Sequence, residues 1–106
     1  MNSTDIADAL GLETHQARTA LAHALTNLQV FDRKQKDYGP YNIASNPCPE
    51  LGVAIRCNDK VQRLMNLLYD NKEPNVESKN DSWLDLANYA YIGLMTSNDE
   101  WLGEGE

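Results

Sequence analysis

A chain of 106 residues accommodates one ordinary domain and no second independent core. Hydrophobic residues make up 42 % and charged residues 24 %, the mixture of a soluble globular protein, and no apolar run approaches the roughly 18–20 residues that cross a bilayer. Nine Lys and Arg against sixteen Asp and Glu give a net charge of −7, which argues against a generic binder of duplex nucleic acid, because such binding rests on neutralising phosphates.

The N-terminus, Met1-Asn2-Ser3-Thr4-Asp5, lacks the basic start and apolar middle of a signal peptide, so a cytoplasmic protein is expected. Thr4–Leu10 reads as a short helix that Gly11 ends, and Thr14 as the cap of a longer one. In that second helix Ala17, Leu21, Ala24, Leu25, Leu28 and Phe31 fall at helical spacing, an apolar stripe reaching about Lys36. The Ile6–Leu25 stretch has the rhythm of a helix-turn-helix, but few cations accompany it. His15 and His23 have no Cys or His one turn away, so they make no zinc site.

Residues 37–49 carry three of the four prolines, which excludes continuous helix. Cys48 and Cys57 fit neither a disulfide framework nor a zinc spacing and read as two reduced thiols. From about Glu50 helical spacing resumes, with Val61, Leu64, Met65 and Leu68 as its apolar stripe, until residues 70–75 break the chain. The last helix is expected from Lys79 or Asn80 to about Thr96, burying Leu84, Ala87, Tyr91 and Met95. An acidic tail closes the chain over about residues 98–106. No alternating segment is long enough for a strand. The expected fold is all-α: one domain over residues 1–106, a small bundle of three long helices plus the short N-terminal one.

Two polar stripes interrupt this apolar pattern. On the third long segment's helix Arg56, Asp59, Lys60 and Arg63 fall at i, i+3, i+4 and i+7, and on the last helix Asp81, Asp85 and Asn88 do nearly the same, with Glu77 one turn upstream. Side by side, the two helices would bring carboxylates and cations together, a combination suited to a hard divalent ion holding a phosphate group. The competing reading is a solvated face of weak ion pairs. Asp85 strains it, because its neighbours Trp83, Leu84, Leu86 and Ala87 make an apolar setting.

Five short runs then form a pattern: Lys36-Asp37-Tyr38-Gly39-Pro40, Gly52-Val53-Ala54-Ile55-Arg56, Asp59-Lys60-Val61-Gln62-Arg63-Leu64, Glu77-Ser78-Lys79-Asn80-Asp81 and Asp85-Leu86-Ala87-Asn88-Tyr89-Ala90. In this order and spacing they resemble the nucleotide-modification-associated domain family of phage and prophage proteins, itself similar to the MazG-type all-α nucleotide pyrophosphohydrolases. The resemblance covers roughly residues 17–96. It implies a MazG-like, Mg²⁺- or Mn²⁺-dependent enzyme that cleaves a (deoxy)nucleoside triphosphate to the monophosphate and pyrophosphate. The setting it implies is remodelling of the nucleotide pool in the cytoplasm of an infected or lysogenic bacterial host.

Carried over by residue, the resemblance makes Asp59, Glu77, Asp81 and Asp85 the metal ligands, with Asp59 and Asp85 catalytic. Arg56, Lys60 and Arg63 become the phosphate-side cations, and Lys36, Asp37, Tyr38, Asn42 and Asn88 line the nucleotide. The MazG pattern places several Glu on one helix where this chain offers only Asp59. A non-catalytic nucleotide-binding or sequestering protein is therefore the alternative, and an acidic inhibitor of a host protein is a further one. Trp83, Tyr89, Tyr91 and Ile92 spread apolar surface around the last helix beyond what one core needs, so a homo-oligomer, dimer or tetramer, is expected.

Overall fold

Asn2 begins the first helix with both halves of a capping box: its Oδ1 accepts the Asp5 backbone N–H at 2.9 Å, and Asp5 Oδ2 accepts the Asn2 N–H at 3.3 Å. In the computed structural model, which describes residues 2–69 and 76–103 without the side chains of 76–78, this helix is α1, Ser3–Ala9. Gly11, at φ +71°, then turns the chain through the left-handed region. The Gly11 N–H donates to Asp8 O and the Leu12 N–H to Ala7 O, both at 3.0 Å, the double closure of a Schellman motif. The glycine predicted as a stop acts as one because only it enters that conformation without steric cost.

Four further helices follow among the described residues: α2 (His15–Tyr38), α3 (Tyr41–Ala44), α4 (Pro49–Tyr69) and α5 (Val76–Ser97). None of the described residues forms a strand, and the chain is all-α. No helix among them is long and apolar enough to cross a membrane. The chain divides into two compact units, Met1–Asp37 and Tyr38–Glu106.

In the first unit Thr14 caps α2, its Oγ1 accepting the Ala17 N–H at 3.1 Å. Arg18 fastens the link between α1 and α2. Its guanidinium donates to the Leu12 carbonyl and to Asp8 Oδ1, each at 2.8 Å. Ala17, Leu21, Ala24, Leu25 and Phe31 are half-buried, while Leu28 is exposed. Gly39, at φ +69° and followed by Pro40, comes directly after the last residue of α2.

In the second unit α4 and α5 pack along each other, and α3 packs on α4. Lys60 meets Asp85, and Val53 lies beside Gly93, so the two long helices run antiparallel. Pro49 occupies the first turn of α4, where its missing N–H has no consequence. Just upstream, Asn46 Oδ1 accepts the Cys48 N–H at 2.9 Å. At the other end of the unit, Trp101 Nε1–H donates to the Pro40 carbonyl at 2.8 Å. The expected acidic tail is thus tied down as far as Trp101, and residues 104–106 lie outside those described.

The helix boundaries differ modestly from expectation. Helix α3 forms inside the proline-rich stretch, between Pro40 and Pro47, because four residues free of proline suffice for one turn. Helix α5 begins at Val76, three residues ahead of Lys79.

The buried faces differ more. On α4, Val53 and Leu64 are buried and Leu67 half-buried, whereas Val61, Met65 and Leu68 are exposed. On α5, the residues predicted to be buried were Leu84, Ala87, Tyr91 and Met95; instead Ser82, Asn88 and Ile92 are buried, Leu84 and Met95 half-buried, and Ala87 and Tyr91 exposed. Apolar residues surround most of both helices, so 3.6-residue spacing alone admits several faces. The pairing of Lys60 with Asp85 and the closeness that Gly93 allows to Val53 fix which one is inside.

Candidate functional site: a polar seam between two helices

Positions Val53, Lys60, Leu64 and Leu67 of α4 fall at i, i+7, i+11 and i+14, and Ser82, Asp85, Asn88 and Ile92 of α5 at i, i+3, i+6 and i+10. These are the inward registers of two packed helices. Three of the four on α5 are polar. Lys60 Nζ stands 3.0 Å from Asp85 Oδ2, with side chains 26 % and 24 % exposed. Ser82 and Asn88, at 2 % and 7 % exposure, are more deeply buried. Among the described residues no buried side-chain nitrogen or oxygen lacks a hydrogen-bond partner, so the seam is polar and satisfied. Arg56, one turn before Lys60, is half-buried.

The structure therefore brings together Lys60 and Asp85 from the set expected in the sequence, with Asn88 one turn along α5. It separates the α4 stripe: Arg56 and Lys60 are half-buried, whereas Asp59 and Arg63 are exposed. Asp81 is exposed on α5, and the side chain of Glu77 lies outside those described. Lys36 and Asp37 belong to the first unit, where Lys36 Nζ lies 3.4 Å from Asp32 Oδ2 along the exposed side of α2. Tyr38 and Asn42 are exposed in the second unit. Ser82 had no place in the expected site. It stands one turn before Asp85 on the same buried side of α5.

Asp85 in this seam is held by a cation at hydrogen-bonding distance, so each partner offsets the other's charge. Among the described residues no three His, Cys, Asp or Glu side chains gather as metal ligands do. Cys48 and Cys57 form no disulfide.

Concave surface lies elsewhere in the second unit. A cavity of about 270 Å³ is lined by Ala44, Pro49, Thr96, Asp99, Trp101 and Leu102. A wider depression next to it, sharing Pro49, Thr96 and Asp99, extends over Cys48, Glu50, Leu51 and Ala54. Neither is lined by any residue expected at the nucleotide. Between them stands Asp99 at φ 55°, the left-handed residue that closes α5: its N–H donates to Thr96 O at 3.4 Å and the Glu100 N–H to Met95 O at 2.7 Å.

No protein-family model, no curated protein and no solved structure matches this chain.

Proposed function

We propose that this protein acts on (deoxy)nucleoside triphosphates, binding them at the α4–α5 seam and cleaving them to the monophosphate and pyrophosphate. The reading rests on the resemblance in residues 17–96, and the observation that carries it furthest is the Lys60–Asp85 pair. An ion pair one quarter exposed is accessible to a competing anion. A triphosphate oxygen that took the Lys60 ammonium would release Asp85 beside the phosphate chain, where its carboxylate can accept a proton from water. In that step the water oxygen bonds to the α-phosphorus, the bond from that phosphorus to the bridging oxygen breaks, and pyrophosphate leaves. Arg56, half-buried one turn from Lys60, would share the charge on the leaving group.

The second reading is nucleotide binding without hydrolysis, in which Lys60 takes the phosphate and Asp85, 3.0 Å away, serves only as the partner it leaves. One experiment separates the two. The protein is incubated with each dNTP, with Mg²⁺, with Mn²⁺ and with EDTA, while monophosphate and pyrophosphate are quantified and binding is followed by calorimetry. Metal-dependent release of both products supports the enzyme. Saturable binding without products supports the binding protein. Neither binding nor turnover with any dNTP refutes both.

A further inference from the structure

The cavity beside the end of α5 combines an apolar wall with unpaired negative charge. Ala44, Pro49, Trp101 and Leu102 supply the apolar part of its lining. Its two side-chain hydrogen-bond donors are already committed: the Thr96 hydroxyl donates to the Gly93 carbonyl at 3.0 Å, and the Trp101 indole N–H to the Pro40 carbonyl at 2.8 Å. The lining side chains therefore still offer a ligand the Thr96 lone pairs, the indole ring and the Asp99 carboxylate. That carboxylate, and that of Glu50 in the adjoining depression, take no hydrogen bond or ion pair among the described residues. No Lys or Arg lines either hollow.

We infer that this cavity binds a small organic ammonium, an amine carrying one compact apolar body. The chemistry of the lining selects it. A phosphate or carboxylate would find no cation and no free side-chain donor in the cavity, and would face the Asp99 carboxylate instead. An ammonium brings the hydrogens that the lining lacks and meets Asp99 in a charge-assisted bond, while its apolar body lies against Trp101 and Leu102. An indole is also the aromatic side chain that attracts a cation most strongly. A volume of about 270 Å³ holds about nine groups of water size at roughly 30 Å³ each. That is the size of a phenylethylamine and well short of a nucleoside triphosphate.

The walls are held in place before any ligand arrives. The indole of Trp101 is anchored to Pro40. The backbone at Asp99 is fixed by its own N–H, donating to Thr96 O at 3.4 Å, and by the neighbouring Glu100 N–H, donating to Met95 O at 2.7 Å. Little ordering of the protein therefore opposes binding. The net charge of −7 adds a long-range attraction for cations, and the apolar wall selects among them those with a hydrocarbon body. The site is separate from the α4–α5 seam, because neither Lys60, Ser82, Asp85 nor Asn88 lines it.

The probe is 2-phenylethylammonium, with 2-phenylethanol and phenylacetate as neutral and anionic counterparts of similar shape. Each is titrated to about 20 mM, past the millimolar affinity expected of so small a ligand, at constant pH and ionic strength. The full chain is labelled with nitrogen-15, and the indole N–H signals of Trp83 and Trp101 are followed, the exposed Trp83 being assigned through Trp83→Phe. The ammonium should shift the Trp101 signal saturably and leave Trp83 in place. The alcohol should bind about threefold to fivefold more weakly, the worth of an exposed charge pair, and phenylacetate should not bind. Asp99→Asn keeps a residue type that accepts the left-handed backbone. It should weaken the ammonium about threefold to fivefold and leave the alcohol unchanged. The absence of a saturable shift at Trp101 overturns the proposal, as does an alcohol or phenylacetate that binds as tightly as the ammonium. Equal ammonium affinity in the parent and Asp99→Asn refutes recognition by charge, and with it the ligand class.

Discussion

Removing Asp85 tests whether the polar seam holds α4 and α5 together. Breaking a fully buried ion pair destabilises a protein by about 3–5 kcal/mol, whereas an exposed pair is worth about 0–1 kcal/mol. Lys60 and Asp85 keep roughly a quarter of their side-chain surface in water, so Asp85→Ala should fall between these limits, at about 2 kcal/mol. For a chain of this length that is about 10 °C in Tm. Most of the loss would come from leaving the Lys60 ammonium half-buried without this carboxylate. Replacing both partners by apolar residues of similar volume should therefore be far milder than either single change. The single variants Lys60→Met and Asp85→Leu should each lose about 2 kcal/mol, and the double variant Lys60→Met/Asp85→Leu is expected within about 1 kcal/mol of the parent, giving a coupling of about 3 kcal/mol across the cycle. Urea melts followed by circular dichroism measure the parent and all four variants. An Asp85→Ala loss under about 0.5 kcal/mol, or a double variant as unstable as the two single losses added, would refute the reasoning.

The two helical glycines of the second unit should respond differently to alanine. At Gly93 a Cβ would meet Val53 Cγ1 at an ordinary 3.9 Å, so Gly93→Ala should stabilise by about 0.5–1 kcal/mol through helix propensity, read as a higher urea midpoint. At Gly52 a Cβ would run into the Asn46 side-chain amide, whose Oδ1 accepts the Cys48 N–H at the start of α4, so Gly52→Ala should show none of that gain. Asp99→Gly relieves a side chain held at φ 55° and should raise stability by about 1 kcal/mol in thermal melts. Arg18→Ala removes the clamp on Asp8 and Leu12 at a cost of about 1 kcal/mol. Hydrogen exchange should then accelerate in α1 while the α4–α5 amides keep their protection.

What the sequence made legible follows from what is local. Asn2, Gly11 and Thr14 act on residues two to four positions away, and the capping box, the Schellman turn and the α2 cap all form from them. The second helix ends beside Gly39 and Pro40 for the same reason. Nothing in the sequence marks Asp99 as a helix stop, because an aspartate in the left-handed region is uncommon and its surroundings show only acidity. The faces of α4 and α5 were not legible, because they depend on which residues meet across 25 to 40 positions of chain, as Lys60 meets Asp85 and Val53 meets Gly93, not on spacing within one helix. Leu64 is inside and Met65, its neighbour, is exposed, although both satisfy helical periodicity with Val61 and Leu68.

The packing of α4 on α5 brings one residue of each polar stripe together, Lys60 with Asp85, and leaves others outside. A carboxylate at position 85, among Trp83, Leu84, Leu86 and Ala87, needs a partner. That argument holds whatever the partner is: a cation from a neighbouring helix satisfies it as well as a metal ion does. Lys60 supplies the cation, while Asp59, one residue away and about 100° around α4, is exposed. An ion pair inside the helix contact in turn displaces apolar side chains from it. Val61, Met65 and Leu68 on α4, and Trp83, Ala87 and Leu94 on α5, are left on outward surfaces. The polarity of the seam and the apolarity of the outer α5 stripe are thus two consequences of one register, and a variant that shifts the register should change both. Lys60→Met/Asp85→Leu is informative here too: it removes the ionic constraint without touching Trp83. The ion pair sets the register on this argument, so tryptophan fluorescence of the double variant should shift as Trp83 changes its exposure, even where the urea midpoint is unchanged. An unchanged spectrum would refute that role and leave the register to apolar packing alone.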